Sequence, residues 1–426
     1  MMKILLKVKN SLRNETLRNG ALFSLFSFVN RGFSFLLLLI LANYITPAEY
    51  GFLSLFNTVV MVVGYFIALS TEGYLSVSYF RDGEDGLKQT FSCTFFTSLI
   101  IAFLFSAILF FSGNFISGKL NLPLNSLYIA IGICFFNIFS NLILNYYRLQ
   151  KRAPIYGMLS CGNAALNFVI SIILIRNLLI GWEGRIYAQL GCCILFGAIG
   201  FVFFAQNKFV RFPNIKHWKM MLLWGIPLIP HLATNFIRQG CDRYIINYFH
   251  NIEEVGLFSF AFNLTNIIIM VGMGFNDSNS VKIFEILGNK NICSADKRNL
   301  LKNQRKMMLK VYLLSTIVIV CLGTFLTPFA LPKYDASIKY FIVLSMYGFF
   351  HCLYFLYTNF LFFYKKNKLL MSFTFFSSVL HLALSLIFTR YSLLATCLIY
   401  SLSQLLIVFL VRNYANKLIE KEMSLC

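Results

Sequence analysis

Apolar residues in this chain collect in long stretches separated by shorter polar segments. A bilayer core about 30 Å thick calls for roughly 17–25 apolar residues per helix. In the first half the stretches fall at Asn19–Ile45, Tyr50–Thr71, Phe91–Phe111, Leu124–Tyr146, Ile155–Ile175 and Gly184–Ala205. In the second half they fall at Met221–Tyr248, Val255–Asn279, Met308–Leu331, Ser337–Tyr364, Lys368–Thr389 and Ser392–Tyr414. Strands of an outer-membrane barrel would be about half as long and would alternate in polarity. The pattern therefore predicts an all-α polytopic membrane protein of about twelve transmembrane helices in two six-helix lobes. The expected order is a basic N-terminus (1–18), an N-terminal lobe (19–206), a linker (207–220), a C-terminal lobe (221–414) and a tail (415–426).

Composition agrees with that class. Of 426 residues, 58% are hydrophobic and only 12% charged, about half the charge that covers a soluble surface. Mean hydropathy is +0.71. A soluble enzyme, a disordered scaffold and a disulfide-stapled secreted domain are excluded. Lys3, Lys7, Lys9, Arg13 and Arg18 precede an apolar run too long for a signal h-region, so the N-terminus is not read as a cleavable signal.

The net charge of +21 would suggest nucleic acid in a soluble protein, but its distribution points elsewhere. With cations in the first or last three residues of a span counted to the adjoining loop, as Arg185 and Lys339 are, the N-terminus, even-numbered loops and C-terminus carry 28 of the 37 Lys and Arg, and the odd-numbered loops carry 6. By the positive-inside rule the richer side is cytoplasmic, which puts both termini inside. No nucleic-acid partner is expected. The longest cytoplasmic connection, Lys282 to Lys306, is dense in cations. Such a stretch sets topology and can also bind anionic headgroups.

The two halves share a motif. Thr46-Pro-Ala-Glu-Tyr-Gly-Phe-Leu-Ser-Leu opens the second span, and Asn251-Ile-Glu-Glu-Val-Gly-Leu-Phe-Ser-Phe opens the eighth, 205 positions later. Glu49/Glu254, Gly51/Gly256 and Ser54/Ser259 coincide. With six spans per half, this is a parallel repeat of the kind transporters use, and it predicts a site between lobes that opens alternately to each side.

Polar residues at membrane depth are the candidates for chemistry, because each costs several kcal/mol unless paired or hydrated. Arg31 lies midway along span one with Ser24, Ser27 and Ser34 at helical spacing. His231, Asn235, Arg238 and Asp242 share one face of span seven, and Arg243 follows. Asp242 is expected either to neutralise one of these arginines or to bind a coupling ion. Asn137, Asn141 and Asn145 share a face of span four, and Asn163 and Asn167 a face of span five. Carboxamides suit sugar hydroxyls and equally suit neighbouring helices. Glu72 and Asp277, at the cytoplasmic ends of spans two and eight, are further ion-coupling candidates, with interfacial solvation as the plain alternative. His351 and His381 read as isolated packing residues, and Pro227 and Pro230 should bend span seven. The eleven cysteines show no metal-ligand spacing. No phosphate-binding loop, zinc-peptidase or esterase motif occurs, so neither a metal nor another cofactor is expected.

At Asn30-Arg31-Gly32 and Leu41-Ala42-Asn43-Tyr44-Ile45-Thr46-Pro47-Ala48-Glu49-Tyr50-Gly51 the chain resembles bacterial O-antigen and oligosaccharide flippases. These form the polysaccharide transporter branch of the multidrug/oligosaccharidyl-lipid/polysaccharide exporter superfamily. Gly225-Ile226-Pro227-Leu228-Ile229-Pro230, Asp242-Arg243-Tyr244-Ile245-Ile246 and Val255-Gly256-Leu257-Phe258-Ser259 extend the resemblance into the second half. The similarity covers about residues 15–85 and 219–275. It implies a MATE-like fold in the bacterial inner membrane and no enzymatic activity. It also implies export of a polyprenyl-pyrophosphate-linked oligosaccharide, an O-antigen or capsule unit, to the periplasmic leaflet, with H+ or Na+ coupling an open question. Membrane lipids, a glycan polymerase and a chain-length regulator are the implied partners. Arg31 with Arg238 or Arg243 is the candidate pyrophosphate contact, since the planar guanidinium binds phosphate in bidentate fashion. Asn141 and Asn145 are candidate glycan contacts. Two other readings stay open: a multidrug or metabolite cation antiporter of the same fold, and a membrane glycan polymerase or glycosyltransferase. The antiporter would need deep carboxylates, and here deep arginines outnumber acids. The polymerase would need catalytic residues on an outer loop, and every outer loop is short.

Overall fold

The computed structural model describes residues 15–69, 71–289 and 292–424. All twelve expected spans are helical, and no strand occurs among the described residues. The first six lie in α1 (Glu15–Tyr44), α2 (Pro47–Ala68), α3 (Thr71–Leu120), α4 (Leu124–Leu149), α5 (Ala153–Ile172) and α6 (Trp182–Gln206). Span seven is broken into α7 (Ile215–Gly225), a 3-10 turn (Ile226–Leu228), α8 (Ile229–Gln239) and α9 (Cys241–Phe249). Proline removes a backbone donor and clashes with the preceding turn, which is why the break falls at Pro227 and Pro230. The rest are α10 (Ile252–Gly288), α11 (Ser294–Ala330), α12 (Ile338–Phe363), α13 (Asn367–Phe388) and α14 (Leu393–Ser424). Ten stretches among the described residues are long and apolar enough to cross a bilayer, and one of them, Pro47–Leu120, holds two of the expected spans.

Several segments expected to be loops are helical. Residues 72–90 are the first part of α3, set off by Gly83 at φ 64°, ψ −146°, a conformation that favours glycine. α10 continues past Asn279 to Gly288, and α11 begins at Ser294, well before Met308. Hydropathy marks where a helix leaves the apolar layer but not where it ends, because a formed helix extends into water at little cost. Glu84 and Lys88, 2.7 Å apart across one turn, support such an extension.

By contacts the chain divides into two compact units, Met1–Ile45 with Leu55–Leu232 and Thr46–Ser54 with Ala233–Cys426. In the first unit α4 packs mainly on α6 and α3, and α1 on α5. Gly197 and Gly200 let α6 approach α4 until an added Cβ would lie 2.5 Å from the carbonyl oxygens of Phe136 and Phe139. Close approach through small residues is the usual device where lipid offers no hydrophobic drive. In the second unit α12 sits against α14, α10 and α11, with Ile268, Met308, Tyr312, Cys352 and Leu356 forming one core cluster. Phe103, Phe110, Phe111, Leu314 and Phe329 are more than 60% exposed. So large an apolar exterior requires a lipid solvent, and the protein is a multi-pass membrane protein.

The repeated motif has a structural meaning inside the second unit. Thr46 and Glu49 form a capping box: the Thr46 amide and hydroxyl donate to Glu49 Oε2 at 2.8 and 3.0 Å, and the Glu49 amide donates to Thr46 Oγ1 at 3.2 Å. Asn251 caps α10 in the same way, its Oδ1 accepting from the Glu254 amide at 2.9 Å. The two capped helix starts then cross on their glycines. A Cβ on Gly51 would lie 2.1 Å from the Ile252 oxygen, and one on Gly256 would lie 1.7 Å from the Pro47 oxygen. Position 252 corresponds to 47 under the repeat, so the contact is reciprocal. At its centre Ser54 Oγ donates to Ser259 Oγ at 2.7 Å, joining equivalent residues.

Candidate functional site

Helices α1, α4, α5 and α6 line an open cavity of about 210 Å³ in the first unit. Spacing of four puts Asn137 and Asn141 on one face of α4, and Asn163 and Asn167 on one face of α5, and both faces turn into this space. Ser140, Ser160 and Asn30 complete the polar wall, with Phe33, Leu37 and Leu144 as its apolar part. Asn30 Nδ2 donates to Ser160 Oγ at 3.1 Å, tying α1 to α5. Arg185 enters from the start of α6, and its Nη1 donates to Asn167 Oδ1 at 2.6 Å and to Ser171 Oγ at 3.5 Å. Among the described residues no carboxylate pairs with Arg185. The wall therefore offers several groups that both donate and accept hydrogen bonds, and one unneutralised cation. That donor set matches a polyhydroxyl molecule bearing negative charge.

Of the residues singled out from sequence, Asn141 lines this cavity and Asn145 does not. Asn145, one turn further on, accepts from Arg148 Nη2 at 2.6 Å. Arg31 lies on α1 beside Asn30, with its side chain outside the described residues; the same holds for Glu72 on α3. In the sequence Arg185 counts with the outer-side loop charges, because it stands at the edge of span six just behind Trp182 and Glu183. Nothing in the sequence ties it to Asn167, because the two meet only when α5 and α6 pack.

The second unit holds a separate buried polar group. Asp242 pairs with neither nearby arginine among the described residues, contrary to the expectation that it neutralises one of them. Its Oδ2 lies 2.7 Å from His381 Nε2, and both side chains are buried. His381 Nδ1 sits 3.1 Å from Ser403 Oγ. His381 is thus not the isolated packing residue its apolar helix suggested, since its partner is 139 positions away. Arg238 Nη2 donates to Gln404 Oε1, while its buried Nη1 has no hydrogen-bond partner among the described residues. Arg243 Nε donates to Ser54 Oγ at 2.5 Å and Nη1 to the Gln239 carbonyl, with the guanidinium 5.4 Å from the Phe262 ring. Asp277 is exposed on α10.

Removing one side of a buried hydrogen-bonded pair leaves the other partner unsatisfied. Asp242→Ala is accordingly expected to cost about 3 kcal/mol, and His381→Leu added to it should recover part of that. Thermal unfolding of the purified protein in detergent reads the cycle; an unchanged single variant would contradict a formed pair.

The profile of the family described as Polysaccharide biosynthesis protein matches residues 16–277, more than half of the chain. The chain belongs to this family. It is 24% identical over 399 residues to a protein of the Lsg locus of Haemophilus influenzae, covering 90% of this chain and 94% of that one. Two solved structures share its fold at TM-score 0.71. One is an inward-facing multidrug resistance MATE family transporter of the MOP superfamily, at 14% identity over 90% of this chain and 94% of its own. The other is the lipid II flippase MurJ in an inward closed conformation, at 15% identity over 93% of this chain and 87% of its own. The two-lobed MATE-like fold implied by the sequence resemblance is therefore established.

Proposed function

We propose that this member of the polysaccharide biosynthesis family is a flippase. It would carry a polyprenyl-pyrophosphate-linked oligosaccharide, an O-antigen or capsule repeat unit, from the cytoplasmic to the periplasmic leaflet by alternating access. The observation that carries this reading is the amide- and hydroxyl-lined cavity in a membrane-embedded helical unit, with Arg185 bonded to Asn167 and meeting no carboxylate among the described residues. A lipid-linked glycan can leave its tail in the bilayer, but its sugar and phosphate groups need a polar route. Asn141, with Asn137, Asn163 and Asn167, would contact sugar hydroxyls, and Arg185 an acidic or phosphate group. Arg31, next to Asn30 of the cavity wall, remains a pyrophosphate candidate from its sequence position, with Arg238 and Arg243 as candidates in the second unit.

Coupling to an ion, if the transport uses one, would draw on Asp242, a buried carboxylate held by His381. Asp277 is a weaker candidate because it is exposed. An antiporter for organic cations is disfavoured by a cavity that presents a cation and no acid among its described lining residues. The expected location is the bacterial inner membrane with both termini cytoplasmic, and a glycan polymerase and chain-length regulator would act on the delivered product.

Arg31→Ala should abolish surface glycan without lowering the protein level, and Arg31→Lys should restore only part of it. A gel ladder of extracted lipopolysaccharide or capsule, set against the deletion strain, measures this. In the deletion strain the ladder should vanish while lipid-linked precursor accumulates inside. An unchanged ladder there would remove the flippase reading and favour the antiporter, and full display by Arg31→Ala would remove Arg31 from the mechanism.

A further inference from the structure

A second cavity, of about 380 Å³, lies in the second unit and shares no lining residue with the asparagine-lined cavity. α11 supplies Lys302, Arg305 and Lys306, and α14 supplies Arg412, around a floor of Leu309, Leu353, Leu356 and Val408. None of the four cations has a carboxylate within 4.0 Å among the described residues. Arg305 is half-buried and fixed, its Nη1 donating to Asn416 Oδ1 at 3.1 Å and its guanidinium 6.0 Å from the Phe360 ring. Four like charges gathered on one site repel unless an anion joins them. The floor then narrows the choice of anion. Leu309, the outermost floor residue, is 42% exposed on the apolar exterior, so the cationic rim and the lipid-facing wall are continuous.

We propose that this cavity binds the phosphate headgroup of an anionic membrane phospholipid, with an acyl chain laid along Leu309, Leu353 and Val408. A phosphate on a hydrocarbon chain satisfies rim and floor together, whereas a free anion would leave the floor wet. The end of the helices is also right. The cavity opens at the lysine- and arginine-rich end of α11, which the positive-inside rule places in the cytoplasmic leaflet, where a basic pocket between helices meets anionic lipid. Neither the basic stretch nor α14 makes the site alone, since Arg412 comes from more than a hundred residues away.

The test uses the purified full-length protein in detergent, titrated with phosphatidylglycerol, cardiolipin or phosphatidylethanolamine and read by native mass spectrometry. The variant is Lys306→Gln with Arg412→Gln, both exposed and therefore not needed for folding. Each cation near a membrane surface is worth about 1 kcal/mol, or roughly fivefold. The double variant should therefore bind the two anionic lipids about 25-fold more weakly, with phosphatidylethanolamine weak throughout. Lys365→Gln with Lys366→Gln, outside the cavity at the same end, should change binding much less. Equal binding by the cavity variant, or equal loss in the control, would overturn the site. Displacement by inorganic phosphate would assign it to a free anion, and preference for undecaprenyl phosphate would assign it to the glycan carrier; either result rejects the phospholipid. Loss of the phospholipid site would leave the export reading standing, because export is read separately by the ladder.

Discussion

Gly256→Val is expected to remove the folded protein from the membrane. In α10 an added Cβ at this position would lie 1.7 Å from the Pro47 carbonyl oxygen, 2.6 Å from its carbon and 3.1 Å from the Gly51 amide nitrogen. All three are backbone atoms at a helix start held by the Thr46–Glu49 capping box, so no rotamer change can relieve the clash. Overpacking a core costs about 1–3 kcal/mol where side chains can yield, and here the two helices must separate. Ser54 and Ser259 would then lose their bond, and Arg243 would lose a partner that anchors it. Gly51→Val should behave alike, because its Cβ would meet the Ile252 oxygen at 2.1 Å. Gly274 lies in the same helix with nothing within 4 Å of an added Cβ, and Gly274→Val should leave protein level and thermal stability nearly unchanged. Equal yields of the Gly256 and Gly274 variants would refute the close crossing.

Arg185→Ala is expected to abolish glycan display while leaving the protein in the membrane at its normal level. A hydrogen bond to a charged group is worth about 1.5–3 kcal/mol, or roughly tenfold to more than a hundredfold in affinity. Among the described residues Arg185 is the cation that lines the cavity, and no acid there depends on it for neutralisation. Its removal frees Asn167 Oδ1, which Ser171 still reaches at 3.3 Å, so the fold should tolerate the change. Arg185→Lys keeps the charge but loses the planar fork and should restore only part of the function. Comparing surface ladders with membrane immunoblots separates transport from folding. Full display by Arg185→Ala would take the cavity's cation out of the mechanism.

The spans were readable because a bilayer imposes one length on every apolar helix, whatever its neighbours. The break in span seven was readable for a similar reason, as Pro227 and Pro230 act on their own helix. The repeat could be seen as letters, but not as the crossing of two capped helices on Gly51 and Gly256. For the polar residues the dividing line is pairing. The asparagine faces of α4 and α5 follow from spacing alone. By contrast, Arg185 with Asn167, Asp242 with His381, and Arg305 with Asn416 join residues 18, 139 and 111 positions apart. Each partner looked solitary in its own helix, which is why His381 read as packing and Arg185 as a loop charge. Helix ends beyond the apolar layer were also hidden, since hydropathy falls there while the backbone stays helical.

The central claim is that this chain itself moves a lipid-linked glycan between leaflets. Its most direct measurement is reconstitution of the purified protein into vesicles carrying the lipid-linked oligosaccharide on both leaflets, followed by a membrane-impermeant glycosidase. With the protein present, nearly all of the glycan should become accessible over time, and Arg185→Ala vesicles should stop at the outer-leaflet share. A plateau at that share with the unaltered protein, matching protein-free vesicles under every ion gradient tried, would contradict the account.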